Sequence, residues 1–314
     1  MTDPARIRGV LSPVVTPFTA DLAPDHARFV AHCRWLMSQN CGLAFLGTNS
    51  EANSLSVAER LGLMDALFAA GLETRRMMPG TGSSALSDTV ALTSHAVRHG
   101  CAGVLMLPPF YYKGVPEEGL YRFFSEVVER VGDVRLRLYL YHIPPVAVVG
   151  ITPALVERLL KAYPTAIAGM KDSSGDWTNT KTFLDAFAKT DFDVFVGSES
   201  FLLRNMRNGG VGTISATANV NSAAIHRLYE GWQDADAEAQ QARLDQLRKI
   251  LAGKSLLSMI AALKETIALH ADDPAWRTVR PPLLPLDPDE RASLAAELKA
   301  IGFTMPGLAR AEAI

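Results

Sequence analysis

The sequence predicts an α/β protein: a (β/α)8 TIM barrel carrying a C-terminal helical extension. Three observations lead there. Short apolar runs alternate with stretches of helical period along most of the 314 residues, the pattern of βα units in series. Eight such runs occur, the number that closes a parallel sheet into a barrel. Past about residue 220 the apolar runs stop and helical patterns alone continue. A doubly wound sheet would also alternate strand with helix, so the count favours a barrel without excluding that fold.

The apolar runs lie at 10–15, 43–48, 77–80, 103–107, 136–141, 166–171, 194–197 and 211–215. Helix signals fall between them. Ser56 and Glu59 form a capping box ahead of Leu63, Met64, Leu67 and Phe68. Thr152 and Pro153 supply an N-cap and a proline at the first helical position before Leu155, Val156, Leu159 and Leu160. Beyond the eighth run, helical patterns recur near 223–232, 237–251 and 256–270. The expected organisation is one catalytic domain over 1–314, with the barrel at about 7–220 and C-terminal helices at about 221–314.

Composition closes off several function classes. Hydrophobic residues make up 48% of the chain and charged residues 20%, enough apolar material for a large core. The formal net charge is −2 with both signs mixed throughout, so there is no electrostatic footprint for nucleic acid or an anionic membrane. No apolar run approaches the roughly 20 residues that span a bilayer. The opening MTDPARIRGV has neither an apolar signal core nor a cleavage site, which points to a cytoplasmic protein. Cys33, Cys41 and Cys101 form no CxxC pair, and Cys33 and Cys41, in or beside apolar stretches, read as small buried hydrophobes.

In a TIM barrel the chemistry sits where the strands end at the C-terminal face. The sixth run, Ala-Ile-Ala-Gly-Met-Lys-Asp, places Lys171 at the end of an almost unbroken apolar stretch. Alternation puts Lys171 on the face of Ile167 and Gly169. If that face looks into the barrel, burial disfavours the ammonium and the neutral amine becomes a nucleophile. Pattern alone leaves open a lysine that bends to solvent or pairs with Asp172. The fifth run sets Tyr139 and Tyr141 opposite Leu138 and Leu140 and stops at His142-Ile-Pro-Pro. Tyr141 on that rim is a candidate proton shuttle, or an ordinary half-buried tyrosine. The second run ends in the polar turn Gly47-Thr-Asn-Ser-Glu51, whose amides and hydroxyls suit a carboxylate.

These pieces occur in order with Val14-Val-Thr-Pro-Phe18, Pro108-Pro-Phe-Tyr-Tyr112 and Gly212-Thr-Ile-Ser-Ala-Thr-Ala-Asn219. Together they resemble the dihydrodipicolinate synthase / N-acetylneuraminate lyase family of pyruvate-type class I aldolases, over about Arg8 to Pro282. The resemblance implies that Lys171 forms a Schiff base with a small 2-oxo acid and that Tyr141 moves protons at the reacting centre. Thr48 is then the hydroxyl linking Tyr141 to a second tyrosine, Tyr112, which reaches in from a neighbouring subunit of a homodimer or homotetramer. Thr48 and Asn49 would hold the carboxylate, Gly197 and Ile214 would line the pocket, and Ser173 would contact the distal part of the substrate. No metal and no organic cofactor are implied.

Departures from the family pattern bear on the substrate. Asn49 and Ser50 stand where Thr-Gly is common, and Asn49 resembles the 4-hydroxy-2-oxoglutarate aldolase branch. Val146 stands where the synthase branch carries an arginine, and valine cannot grip a carboxylate. His142 replaces an asparagine, and its expected role is a structural hydrogen bond. The expectation is cleavage or dehydration of a 4-hydroxy-2-oxo acid. The alternatives are dihydrodipicolinate (4-hydroxy-tetrahydrodipicolinate) synthase and a barrel that binds oxo acids without turnover. His95 and His99, at i and i+4 without a third sequence ligand, read as a helix face. Gly209-Gly-Val-Gly212 reads as a tight turn, and Glu51 as a brace for its own turn.

Overall fold

The computed structural model describes residues 6–253 and 256–309. Residues 1–5, part of the stretch read for targeting, lie outside them. Seven strands form one parallel sheet: β1 (Gly9–Ser12), β2 (Gly42–Leu43), β3 (Val104–Met106), β4 (Leu138–His142), β5 (Ile167–Asp172), β6 (Asp193–Val196) and β7 (Gly212–Ile214). The spatial order is β2-β1-β7-β6-β5-β4-β3, every pairing parallel. Segment 77–80 closes the remaining gap through single bridges, Leu43 to Met77 and Gly80 to Leu105. The Met78 amide donates to the Leu43 carbonyl at 2.8 Å, and the Leu105 amide to the Pro79 carbonyl at 2.9 Å. The fold is therefore the expected eight-membered parallel barrel.

Segment 77–80 falls short of a regular strand because Pro79 has no N–H to give the ladder. A Cβ on Gly80 would also stand 2.2 Å from the Leu46 carbonyl oxygen, so only glycine lets the two backbones approach this closely. β1 stops before Pro13 for the same want of an N–H. β2 is shorter than its apolar run because Leu46 adopts a positive φ of 61°. That left-handed residue turns the chain out of the sheet and sets up the 47–51 turn.

Helices alternate with the strands, from His26–Ser38 after β1 to Ala218–Glu230 after β7. The Ser56 capping box and the Thr152 cap with its proline form as the sequence indicates. Beyond the barrel come helices Ala237–Ala252 and Leu256–Ala271, then Pro288–Ala300. The sequence reading did not pick out the last of these, although Asp287, Pro288 and Glu290 form a capping box. The apolar core has two layers. Strand residues such as Val10, Leu138 and Met170 pack against the helices. Leu11, Leu105, Tyr139, Tyr141, Phe195 and Ile214 fill the barrel interior.

One expectation about β5 is corrected. Ile167 does not share a face with Lys171: it packs in the helix-facing layer, whereas Ala168 faces the interior. The register between β4 and β5 jumps at Leu138/Tyr139, where Ala168 is passed over. A bulge adds one unpaired residue and flips what precedes it. Gly169 stays interior because a Cβ there would meet the Tyr139 ring at 2.9 Å.

Candidate active site

Tyr141 and Lys171 are register partners at the C-terminal ends of β4 and β5. Both are interior and each is 2% exposed. The Lys171 Nζ donates to the Tyr141 Oη at 3.3 Å and stands 4.4 Å from the centre of its ring. The Thr48 Oγ1 lies 3.3 Å from the same phenol oxygen. Lys171 neither reaches solvent nor pairs with Asp172, whose carboxylate accepts from Thr180 Oγ1 (2.6 Å), Asn179 Nδ2 (3.1 Å) and the Ser174 amide (2.8 Å).

These groups open onto a cavity of about 90 Å³, also lined by Asn49, Ser173, Gly197 and Arg248. The larger concavity of about 850 Å³ runs along helix His26–Ser38 and residues 307–309, and contains none of these groups. Ser173 and Gly197 are interlocked: a Cβ on Gly197 would lie 2.0 Å from the Ser173 Oγ. Ile214 is fully buried in the barrel interior with Tyr141 and Phe195 and is not among the residues that line the cavity. Tyr112 is 71% exposed, with its ring edge-on to Tyr111. Within one chain it does not reach the cavity. Lys113 tethers this segment to the Phe110 carbonyl and, at 3.0 Å, to the Ala147 carbonyl. Val146 is 41% exposed and also stands outside the cavity lining.

The 47–51 turn is closed by its own later amides: Ser50 and Ala52 donate to Gly47, and Glu51 to Thr48. The Thr48 and Asn49 amides have no partner among the described residues, nor does the buried Asn49 Oδ1. The two free amide N–H donors suit an anionic ligand, while the Asn49 Oδ1 is an acceptor open to a donor such as a substrate hydroxyl. Glu51 (φ 56°) braces the turn, as expected, but with partners the sequence did not reveal. It accepts from the Lys264 ammonium and, at 2.8 Å, from the Arg280 amide. Lys264 and Glu51 are wholly buried, and the ammonium also donates to the Thr278 carbonyl at 2.8 Å. Burial pushes Lys264 below the usual lysine range while Glu51 pulls the other way. Arg280 in turn holds the Glu59 carboxyl down at about 2.

A second strut rises on the opposite flank. Glu199, buried just after β6, accepts from Ser215 Oγ, Thr217 Oγ1 (2.5 Å) and Arg248 Nη1 (2.8 Å). Arg248 belongs to helix Ala237–Ala252 and was not singled out from sequence, because one arginine on a charged helix carries no local signal. His142 has the structural role expected of it: its Nδ1 accepts from the Ile151 amide at 2.9 Å. Burial lowers its pKa, partly opposed by Asp172. Asp65 joins the His95/His99 pair, and the three ligand atoms lie within 4.8 Å of one another. A direct Asp65–His95 hydrogen bond of 2.6 Å accounts for that contact.

A parallel barrel with a buried lysine and tyrosine at its C-terminal rim defines a class of barrel lyases. Residues 6–301 match the dihydrodipicolinate synthetase family, and the chain belongs to it. It is 34% identical over 300 residues to an "Uncharacterized DapA-like lyase" of Chloroflexus aurantiacus, covering 95% of this chain and 98% of that one. Among solved structures, it is similar to YagE of Escherichia coli K12 in complex with pyruvate. That match has a TM-score of 0.85 and 28% identity over 95% of this chain and 100% of that one. Dihydrodipicolinate synthase of Agrobacterium tumefaciens matches with a TM-score of 0.84 and 28% identity, over 94% of this chain and 100% of the other. The protein is thus a pyruvate-dependent aldolase or lyase of this family.

Proposed function

We propose that the protein cleaves, or dehydrates, a 4-hydroxy-2-oxo acid through an imine on Lys171. The observation that carries this reading is a sealed amine, 2% exposed, whose hydrogen-bond partner is the Tyr141 phenol at 3.3 Å. The Lys171 nitrogen adds to C2 of the oxo acid, and loss of water gives the imine. In the cleavage direction the C3–C4 bond breaks and its electron pair enters the enamine. The C4 hydroxyl passes its proton to Tyr141 as the aldehyde leaves. Protonation at C3 and hydrolysis then return the 2-oxo acid and free Lys171. The imine is itself the electron sink, so the sequence of steps calls for no metal and no organic cofactor.

Thr48 lies where it can pass protons to and from Tyr141, with Tyr112 of a neighbouring subunit as its outer partner in a homodimer or homotetramer. The free amides of Thr48 and Asn49 receive the C1 carboxylate. Ser173 faces the distal carbons, Gly197 gives Ser173 room, and Ile214 supports the interior behind Tyr141. The barrel and the C-terminal helices act as one catalytic unit, since Arg248 and Lys264 both reach the site from beyond the barrel. Among the described residues no helix is long and apolar enough to cross a membrane, and we read the enzyme as cytoplasmic.

The synthase reading stands second, supported by relatives named 4-hydroxy-tetrahydrodipicolinate synthase, such as that of Methanopyrus kandleri at 28% identity. Coupled assays on one preparation separate the two. Release of a 2-oxo acid from 4-hydroxy-2-oxo acids, with weak condensation of pyruvate and aspartate semialdehyde, is expected. A kcat/KM above about 10⁴ M⁻¹s⁻¹ with the semialdehyde, and none with the hydroxy-oxo acids, would establish the synthase instead.

A further inference from the structure

We infer that Arg248 is a specificity-determining residue that grips a carboxylate at the far end of the substrate. This rests on the cavity being the 2-oxo acid site. Around the barrel, Lys171 on β5 is flanked by Tyr141 on β4, and Thr48, in the turn after β2, stands across the barrel with its Oγ1 3.3 Å from the Tyr141 phenol. On its other side lie β6 and β7, whose ends carry Ser198, Glu199 and Ser215. An acid whose C1 carboxylate occupies the 47–51 turn and whose C2 is bonded to Lys171 must extend its remaining carbons away from that turn. Ser173, Gly197, Ser198 and Arg248 line this remaining part of the cavity. Apart from Lys171, which an imine occupies, Arg248 is the one cation among the lining residues.

The arginine is held in place. Its Nη1 donates to Glu199 Oε2 at 2.8 Å and lies 3.4 Å from Ser215 Oγ. Its side chain is only 22% exposed and that of Glu199 is 1%. Gln241, two turns earlier on the same helix, donates to the Glu199 carbonyl at 3.0 Å and accepts from the Leu203 amide at 3.2 Å. The helix is therefore fastened to the β6 rim at two levels. A guanidinium offers five donors in a planar fork. Among the described residues Nη1 alone is engaged, which leaves the rest of the fork for a planar, bidentate acceptor. A buried Glu199 that fixes this fork lowers the entropy lost when a ligand binds. A carboxylate fits both the geometry and a cavity of about 90 Å³. Arg248 thereby supplies a cation that Val146, outside the cavity, does not.

The test uses two substrates that differ only at the far end: 4-hydroxy-2-oxoglutarate, ending in carboxylate, and 4-hydroxy-2-oxopentanoate, ending in methyl. The wild type should favour the carboxylate by about ten- to a hundred-fold in kcat/KM, the range of a charge-assisted hydrogen bond. Arg248→Met should bring the ratio close to one, mainly by raising KM for the glutarate. Arg248→Lys, which keeps the charge but not the fork, should fall between. A wild type without the preference overturns the inference, as does a Met variant that keeps it or loses both substrates alike. The wild-type ratio needs no variant to fold. Failure of the parent reading shows separately, as no release of a 2-oxo acid from either hydroxy-oxo acid, or no pyruvate trapping at Lys171, in the wild type.

Discussion

Lys171 is 2% exposed, and the hydrogen-bond partner of its Nζ is a phenol. Tyr141 stands between that amine and Thr48, 3.3 Å from each, so one oxygen can serve both nitrogen and substrate hydroxyl. Tyr141→Phe should lower kcat by about 10²-fold or more, the usual loss for a positioned acid–base group, with the far-ultraviolet spectrum unchanged. Wild-type turnover in that variant would remove Tyr141 from the proton path. Lys171 and Tyr141 were legible in the sequence because a charge or a phenol ending an apolar run is conspicuous. Asn49 lies in a polar turn that the sequence already marks as suited to a carboxylate, whereas Ser173 became a candidate only through the family resemblance. Arg248 and Glu199 stayed hidden because what makes them a pair is a contact between residues 49 positions apart.

At the scale of elements, the 47–51 turn depends on the C-terminal extension as much as on the strand it ends. Helix Leu256–Ala271 contributes Lys264, and the segment after it contributes the Arg280 amide, both to Glu51. Removing one member of a wholly buried ion pair leaves the other uncompensated, at a cost of about 3–5 kcal/mol. Lys264→Met should therefore lower the urea midpoint strongly and raise KM for the 2-oxo acid as the turn loosens. Adding Glu51→Gln should recover part of the stability. If Lys264→Met alone unfolds like the wild type, the strut does not brace the turn. Periodicity alone revealed the helix carrying Lys264, and no local pattern says which barrel turn a distant helix will touch. The β5 bulge was hidden for a similar reason, since Ala168 looks like any other apolar strand residue until β4 is laid beside it.

For the whole molecule, the candidate Tyr112 is left 71% exposed on the surface of one chain. It lies beside Tyr111 on one surface, with Val146 and Val148 on the neighbouring segment also exposed. Such exposed apolar side chains commonly mark an interface. If a second subunit buries them and receives Tyr112, specific activity should fall as the enzyme is diluted below its dissociation constant. Sedimentation under assay conditions should show the loss tracking the monomer fraction. A fully active monomer would contradict the shared site. The barrel itself was readable from eight apolar runs, because each strand of a closed parallel sheet is buried on both faces. The exposed patch around Tyr112 was not, because exposure is a property of the folded surface.

Covalent bonding of Lys171 to the substrate is the step on which the proposed function depends most directly. Incubation with pyruvate followed by borohydride should fix one reduced pyruvate per chain, mapped by peptide mass spectrometry to Lys171. Lys171→Ala should abolish both label and turnover. Label on another lysine, or full activity in the alanine variant, would contradict the account.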